Sequence, residues 1–131
     1  MEKAFLKKII AQSPEDLQII SACCSESLVK ISEIKFLPKN KIFLLSLQRT
    51  EKEKNNKRKI NSIIRFEYVE SSRSKNINQN NTDIEMELIS IDLFKKEQNF
   101  EITLLFSNNR FITLSVEAIE AILEDQKSIN D

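Results

Sequence analysis

The chain has 131 residues with 20 basic and 20 acidic side chains and 40% hydrophobic residues, enough for one domain with its own core and no net charge. Histidine and glycine are both absent, which removes the commonest acid–base and metal-binding side chain and every glycine-rich phosphate loop. No apolar run approaches the roughly 18 residues of a membrane helix, and the segment Met1–Leu6 lacks the apolar stretch of a secretory signal, so a single cytoplasmic globular domain over 1–131, with no membrane partner, is expected.

Phe5 to Ile10 reads as a short edge strand. Ser13-Pro14-Glu15-Asp16 predicts a helix start: serine caps, proline suits the first helical position, and two carboxylates face the positive end of the dipole. Leu17, Ile20 and Cys24, flanked by Ile19 and Cys23, then form one buried face.

After residue 27 the period becomes two. Val29 and Ile31 share one parity and Ile34 and Phe36 the other, which predicts a bulge at Ser32-Glu33. Pro38-Lys39-Asn40 reads as a turn and Ile42 to Leu47 as a buried strand. Ile60, Ser62, Ile64, Phe66 and Tyr68 alternate along the next one. Ile84, Met86 and Leu88 shift phase to Ile89, Ile91 and Leu93, again a bulge or bend. Thr50 to Lys59 and Ser71 to Thr82 read as mobile loops, and residues 127–131 as a frayed tail.

Phe100, Ile102, Leu104 and Phe106 are followed by Ile112, Leu114 and Val116. A two-residue Asn108-Asn109 turn would turn the two apolar sets away from each other. A three-residue loop over 108–110, pairing 106 with 112, 104 with 114 and 102 with 116, puts these six on one side, and asparagine tolerates the left-handed conformation that such loops require. Finally, Val116, Ile119, Ile122 and Leu123 recur at helical spacing opposite Glu117, Glu120 and Glu124, which predicts a closing amphipathic helix. The expected fold is α+β: six or seven mainly antiparallel strands in a sheet or partly open barrel, with an early helix and a C-terminal one. The architecture is pleckstrin-homology-like by analogy, and that analogy carries no function.

The two cysteines, Cys23 and Cys24, are adjacent, which excludes a CxxC redox pair and a four-ligand zinc site. Isoleucine, lysine and asparagine supply 46 residues, a bias that reads as A+T-rich codon usage, leaving asparagine to fill left-handed positions that glycine would take. Codon usage in the rest of the source genome tests that hypothesis; a G+C-rich genome contradicts it.

Charge is polarised along the chain. Residues 1–65 carry 14 basic and 7 acidic side chains, and residues 66–131 carry 6 and 13. The excess peaks between Arg49 and Lys59, but no aromatic falls between Phe43 and Phe66 to stack on bases, so nucleic acid is disfavoured as a partner of the protein. Glu85 and Glu87 alternate with apolar residues and read as the wet side of a half-buried strand rather than as a catalytic pair. No catalytic set, metal site or cofactor site is read from the chain, and no cofactor is expected. Arg49 is the best candidate for gripping a ligand or partner carboxylate or phosphate, with Glu53 beside it; the competing reading of Arg49 is a surface ion pair with Glu51 or Glu53.

Placed on these elements, the sequence resembles an alphaproteobacterial family catalogued as domain of unknown function 2948. The resemblance is carried by Glu15-Asp16-Leu17 with Ile20-Ser21-Ala22, by Leu28-Val29-Lys30-Ile31 and Phe36-Leu37-Pro38-Lys39, by Phe43 to Thr50, and by the run from Leu114 to Asp125. Arg49 and Glu53 match the family pattern. Cys23 stands where the family usually has histidine, Gln48-Arg49-Thr50 replaces Asn-Arg-Phe, and Ser32 and asparagine replace glycines. The resemblance implies a bacterial cytosolic domain with no assigned activity. The sequence therefore points first to a small non-catalytic binding or assembly module, for which an unknown protein partner is the open expectation. An enzyme or accessory subunit using carboxylate and arginine chemistry is second, and a nucleic-acid accessory domain third.

Overall fold

A computed structural model describes residues 6–53, 56–78 and 80–127, the side chains of 52, 53 and 56 excepted. Among these residues there are ten strands and one α-helix. The helix α1 (Pro14–Cys24) begins as the sequence indicates: Ser13 is the cap, its hydroxyl accepting from the Asp16 N–H at 3.2 Å, with Leu17, Ile20 and Cys24 buried. It packs on the sheet, where Ser21 Oγ accepts the N–H of Ile91 at 2.9 Å.

The strands in chain order are β1 (Lys8–Ala11), β2 (Ser27–Lys30), β3 (Ile34–Leu37), β4 (Ile42–Glu53), β5 (Asn56–Phe66), β6 (Val69–Lys75), β7 (Glu85–Lys95), β8 (Phe100–Phe106), β9 (Arg110–Val116) and β10 (Ala121–Asp125). They form one sheet in the order β1-β10-β5-β4-β2-β7-β8-β9-β6, with β3 pairing to β4 beside β2. All pairings are antiparallel. A single 3₁₀ turn, Ile31–Glu33, separates β2 from β3 at the position where the phase slip predicted an irregularity. A second irregularity falls between Leu88 and Ser90 of β7.

Only Glu67 and Tyr68 separate β5, third in the sheet, from β6 at its far end. At about 3.3–3.6 Å per extended residue, that link forces the sheet to curl over on itself. The inward faces then share one core, in which Phe43 and Phe66 meet with ring centroids 6.2 Å apart. The curl does not close into a barrel: β1 and β6 remain the two ends of the sheet.

Several expectations are corrected. The closing helix over 116–124 does not form; residues 121–125 are strand β10, inserted between β1 and β5. Ala121, Leu123 and Asp125 are buried and alternate with outward Ile122 and Glu124. The period is two, but its inward set includes an alanine and an aspartate, so counting large apolar residues alone favoured a helix. Among the described residues the fold is an open, mostly antiparallel sheet with one helix rather than the expected α+β arrangement of two helices. Its strands number ten rather than six or seven, and without a terminal helix the pleckstrin-homology analogy loses its defining element. Of the expected loop 50–59, residues 50–53 and 56–59 are paired strand, with Thr50 opposite Lys59 and Glu51 opposite Arg58. Residues 71–75 extend β6 into the second expected loop. Of the expected tail, residues 128–131 lie outside the described residues, as do 54, 55 and 79.

The β8–β9 hairpin has a three-residue loop, but it is 107–109 and Phe106 pairs with Arg110. The pairing differs from the expected one by two residues, so parity survives and Ile102, Leu104, Phe106, Ile112, Leu114 and Val116 are all buried on one side. Asn108 and Asn109 have φ of 62° and 58°. Asn76 is also left-handed, and Glu26, Lys41 and Tyr68 occupy the same region without asparagine's local hydrogen-bonding advantage.

Candidate functional site

Arg49 lies on the inward face of β4 and is 2% exposed. Its Nε donates to Asp125 Oδ1 at 3.0 Å and to Ser62 Oγ at 3.2 Å, and its Nη2 donates to Asp125 Oδ2 at 2.6 Å and to Glu51 Oε2 at 3.3 Å. The Ser62 hydroxyl donates in turn to Asp125 Oδ1 at 2.6 Å, and the Lys7 backbone N–H reaches Oδ2 at 2.8 Å. Three strands meet in this cluster, because Ser62 of β5 stands opposite both Leu47 of β4 and Asp125 of β10. The ion pair with Glu51 is present, but it is secondary to a buried two-point contact with Asp125. Glu53 ends the β4 ladder opposite Asn56, and its side chain lies outside the described residues.

Burial opposes charge on both partners, and the contacts outweigh it. Burial pulls the Arg49 guanidinium down, yet the hydrogen bond and charge of Asp125 leave it above its ordinary value. Burial pushes the Asp125 carboxyl up, but hydrogen bonds from Arg49, Ser62 and the Lys7 backbone hold it below the usual carboxylate value. Cys24 lies near this pair, and burial drives its thiol up to about 12. A thiol held there is neutral at physiological pH and a poor nucleophile. Cys23 is half-buried, and both cysteines are free.

A different region offers room for a ligand. The unpaired edges of β3 and β6 border a cavity of about 420 Å³. Its walls carry Ile34 and Phe36 of β3, Phe43 of β4, Ile112 of β9 and Ile77 from the segment after β6, with hydroxyls from Ser32, Ser72, Ser74 and Thr82. None of its lining side chains is ionisable. At one end the Val69 N–H donates to Lys41 O at 2.8 Å, and at the other the Ser32 N–H donates to Thr82 O at 3.3 Å. A lining in which apolar side chains and polar groups share the surface suits a neutral ligand group held partly by desolvation and oriented by hydrogen bonds. Among the described residues no group of three or more potential metal-ligating side chains comes together.

The sequence reading singled out Arg49 but not this cavity, whose residues look like ordinary core positions. The one signal was Ile77, an isolated apolar residue in a stretch of asparagines and charges.

Residues 7–130 match the model of a family described as a protein of unknown function, DUF2948. The chain belongs to this family. That span takes in the Arg49–Ser62–Asp125 cluster and every strand bordering the cavity, so both are built within the DUF2948 unit. Neither a curated protein nor a solved structure matches it. No helix among the described residues is long and apolar enough to cross a membrane.

Proposed function

We propose that this DUF2948 protein is a small, non-catalytic binding module whose β3–β6 cleft receives a neutral ligand group that presents both apolar and hydrogen-bonding surface. The observation that carries the reading is the cleft itself: uncharged walls of apolar side chains, four hydroxyls and two strand edges around about 420 Å³. Two free cysteines favour a reducing compartment and hence the cytoplasm, and the resemblance of the sequence motifs favours an alphaproteobacterial origin. On this reading Arg49 is a positioning residue, holding β10 in place, and does not itself grip the ligand. An enzyme built on arginine and carboxylate chemistry would need Arg49 and Asp125 to reach a substrate, and both are buried.

The test uses N-phenylnaphthylamine, a neutral fluorophore that brightens in apolar sites. The wild-type protein should enhance its emission, and Ser72→Phe, which places a ring in the cleft, should abolish the enhancement without lowering the denaturation midpoint. No enhancement by the wild type, or equal enhancement by a folded Ser72→Phe variant, refutes the assignment.

A further inference from the structure

The outward face of the β7-β8-β9-β6 sheet is unlike an ordinary solvated face. Outward positions of a half-buried antiparallel strand are normally polar, yet Phe94 is 54% exposed, the most open large apolar side chain among the described residues. The register sets Phe94 opposite Glu101, and Phe111 between Leu105 and Lys75. Thr103 and Thr113 pair with each other between these two levels. Their small side chains form the floor of a shallow depression of about 460 Å³, which Phe94 and Phe111 both line.

Cations surround the rings. Arg73, Lys75 and Lys96 line the same depression against a single carboxylate, Glu101. Glu101 receives Arg73 Nη2 at 2.9 Å and Lys96 Nζ at 3.1 Å, which places both cations at the margin of the floor. Both pairs are partly exposed, so water or an incoming anion can compete for either cation at little cost. The basic stretch between Arg49 and Lys59 contains no aromatic residue; among the residues that line this depression aromatic rings and a cationic excess coincide, while Asp92, opposite Thr103 on the same face, lies outside the lining.

We infer that this face binds single-stranded nucleic acid, with bases stacking on Phe94 and Phe111 and phosphates meeting Arg73, Lys75 and Lys96. Stacking needs unpaired bases, so a duplex is excluded from the rings. The excess of cations complements a polyanion. An apolar peptide would satisfy the rings but not the charge, and an acidic peptide would satisfy the charge but not the flat ring faces. The depression meets the β3–β6 cleft at Ser74, which lines both, but Phe94, Phe111 and the three cations are not cleft residues, so their variants test the inference independently of the proposed function.

The experiment is fluorescence anisotropy with a labelled oligouridylate of about 12 nucleotides, a length within the usual single-strand site sizes. Binding should weaken with salt along a log–log slope of about −2, as three phosphate contacts require at about −0.7 each. The deoxythymidylate counterpart should bind within a few-fold, and a duplex of equal length much more weakly. Phe94→Ala and Phe111→Ala should each weaken binding roughly tenfold or more while leaving the thermal midpoint within a few degrees. Absence of binding by the wild type at low salt overturns the inference. So does undiminished binding by the two phenylalanine variants, full competition by inorganic polyphosphate or polyglutamate, or loss of binding only when Lys57→Glu and Lys59→Glu are introduced in the β4–β5 hairpin.

Discussion

Arg49 and Asp125 lie 76 residues apart in the chain, and the Arg49 Nη2 to Asp125 Oδ2 distance is 2.6 Å. The contact joins the central strand β4 to β10 across β5, and Ser62 supports it from the strand between them. Removing one partner leaves the other buried without its counter-charge, a change that costs about 3–5 kcal/mol. Asp125→Ala should therefore lower the urea midpoint sharply, whereas the paired replacement Arg49→Met with Asp125→Leu should recover most of the loss. A loss below about 1 kcal/mol for Asp125→Ala would show that the pair does not hold β10.

The same contact sets an acid limit. The folded-state carboxyl of Asp125 lies below its unfolded value of about 3.9, held there by Arg49, Ser62 and Lys7 against the opposing effect of burial. Its stabilisation is present in full above that unfolded value and disappears as pH falls through the lower folded value. Acid unfolding of the wild type and Asp125→Asn checks this: their stability gap should be constant near neutrality and narrow below about pH 4. A gap that widened in acid would have the wrong sign.

The adjacent cysteines should react unequally. Burial holds the Cys24 thiol near 12, and the side chain has no exposed surface, whereas Cys23 is half-buried. Iodoacetamide at neutral pH should add one label to the native protein, at Cys23, and two in denaturant. Peptide mass spectrometry locates the adducts, and rapid native labelling of Cys24 would contradict its placement.

A chain without glycine leaves room for stabilisation at left-handed positions. Glu26 follows the helix cap Ser25 with φ of 69°, the place where helices commonly end in glycine. Glu26→Gly should stabilise the protein by up to about 1 kcal/mol by removing the Cβ clash, whereas Glu26→Val should destabilise it. Thermal denaturation of both variants decides the matter, and Glu26→Val matching or exceeding Glu26→Gly would refute the strain argument.

Local rules made much of the fold legible. Ser13-Pro14 begins the helix because a cap needs only neighbours, and the parity of Phe106 and Ile112 survives a shifted loop because strand periodicity is local. Asp125 was illegible for the opposite reason: an aspartate points inward only when a distant arginine meets it, and no local pattern announces that meeting. Arg49 stood out as a lone arginine on a strand, but its burial depends on a strand that the apolar count assigned to a helix. The ladder from Thr50 to Lys59 was hidden similarly, since paired backbone can carry a run of charged side chains whose composition resembles a loop. The cleft depends on the gap left between β3 and β6, a property of the assembled sheet that no single segment encodes.

Because among the described residues β1 pairs only with β10, and β10 also covers the outer edge of β5, β1 has no strand partner until β10 has been synthesised. A ribosome delivering this chain therefore releases a nascent sheet with an uncovered flank, and a protein truncated before Ala121 would keep that flank permanently open to pairing with its neighbours.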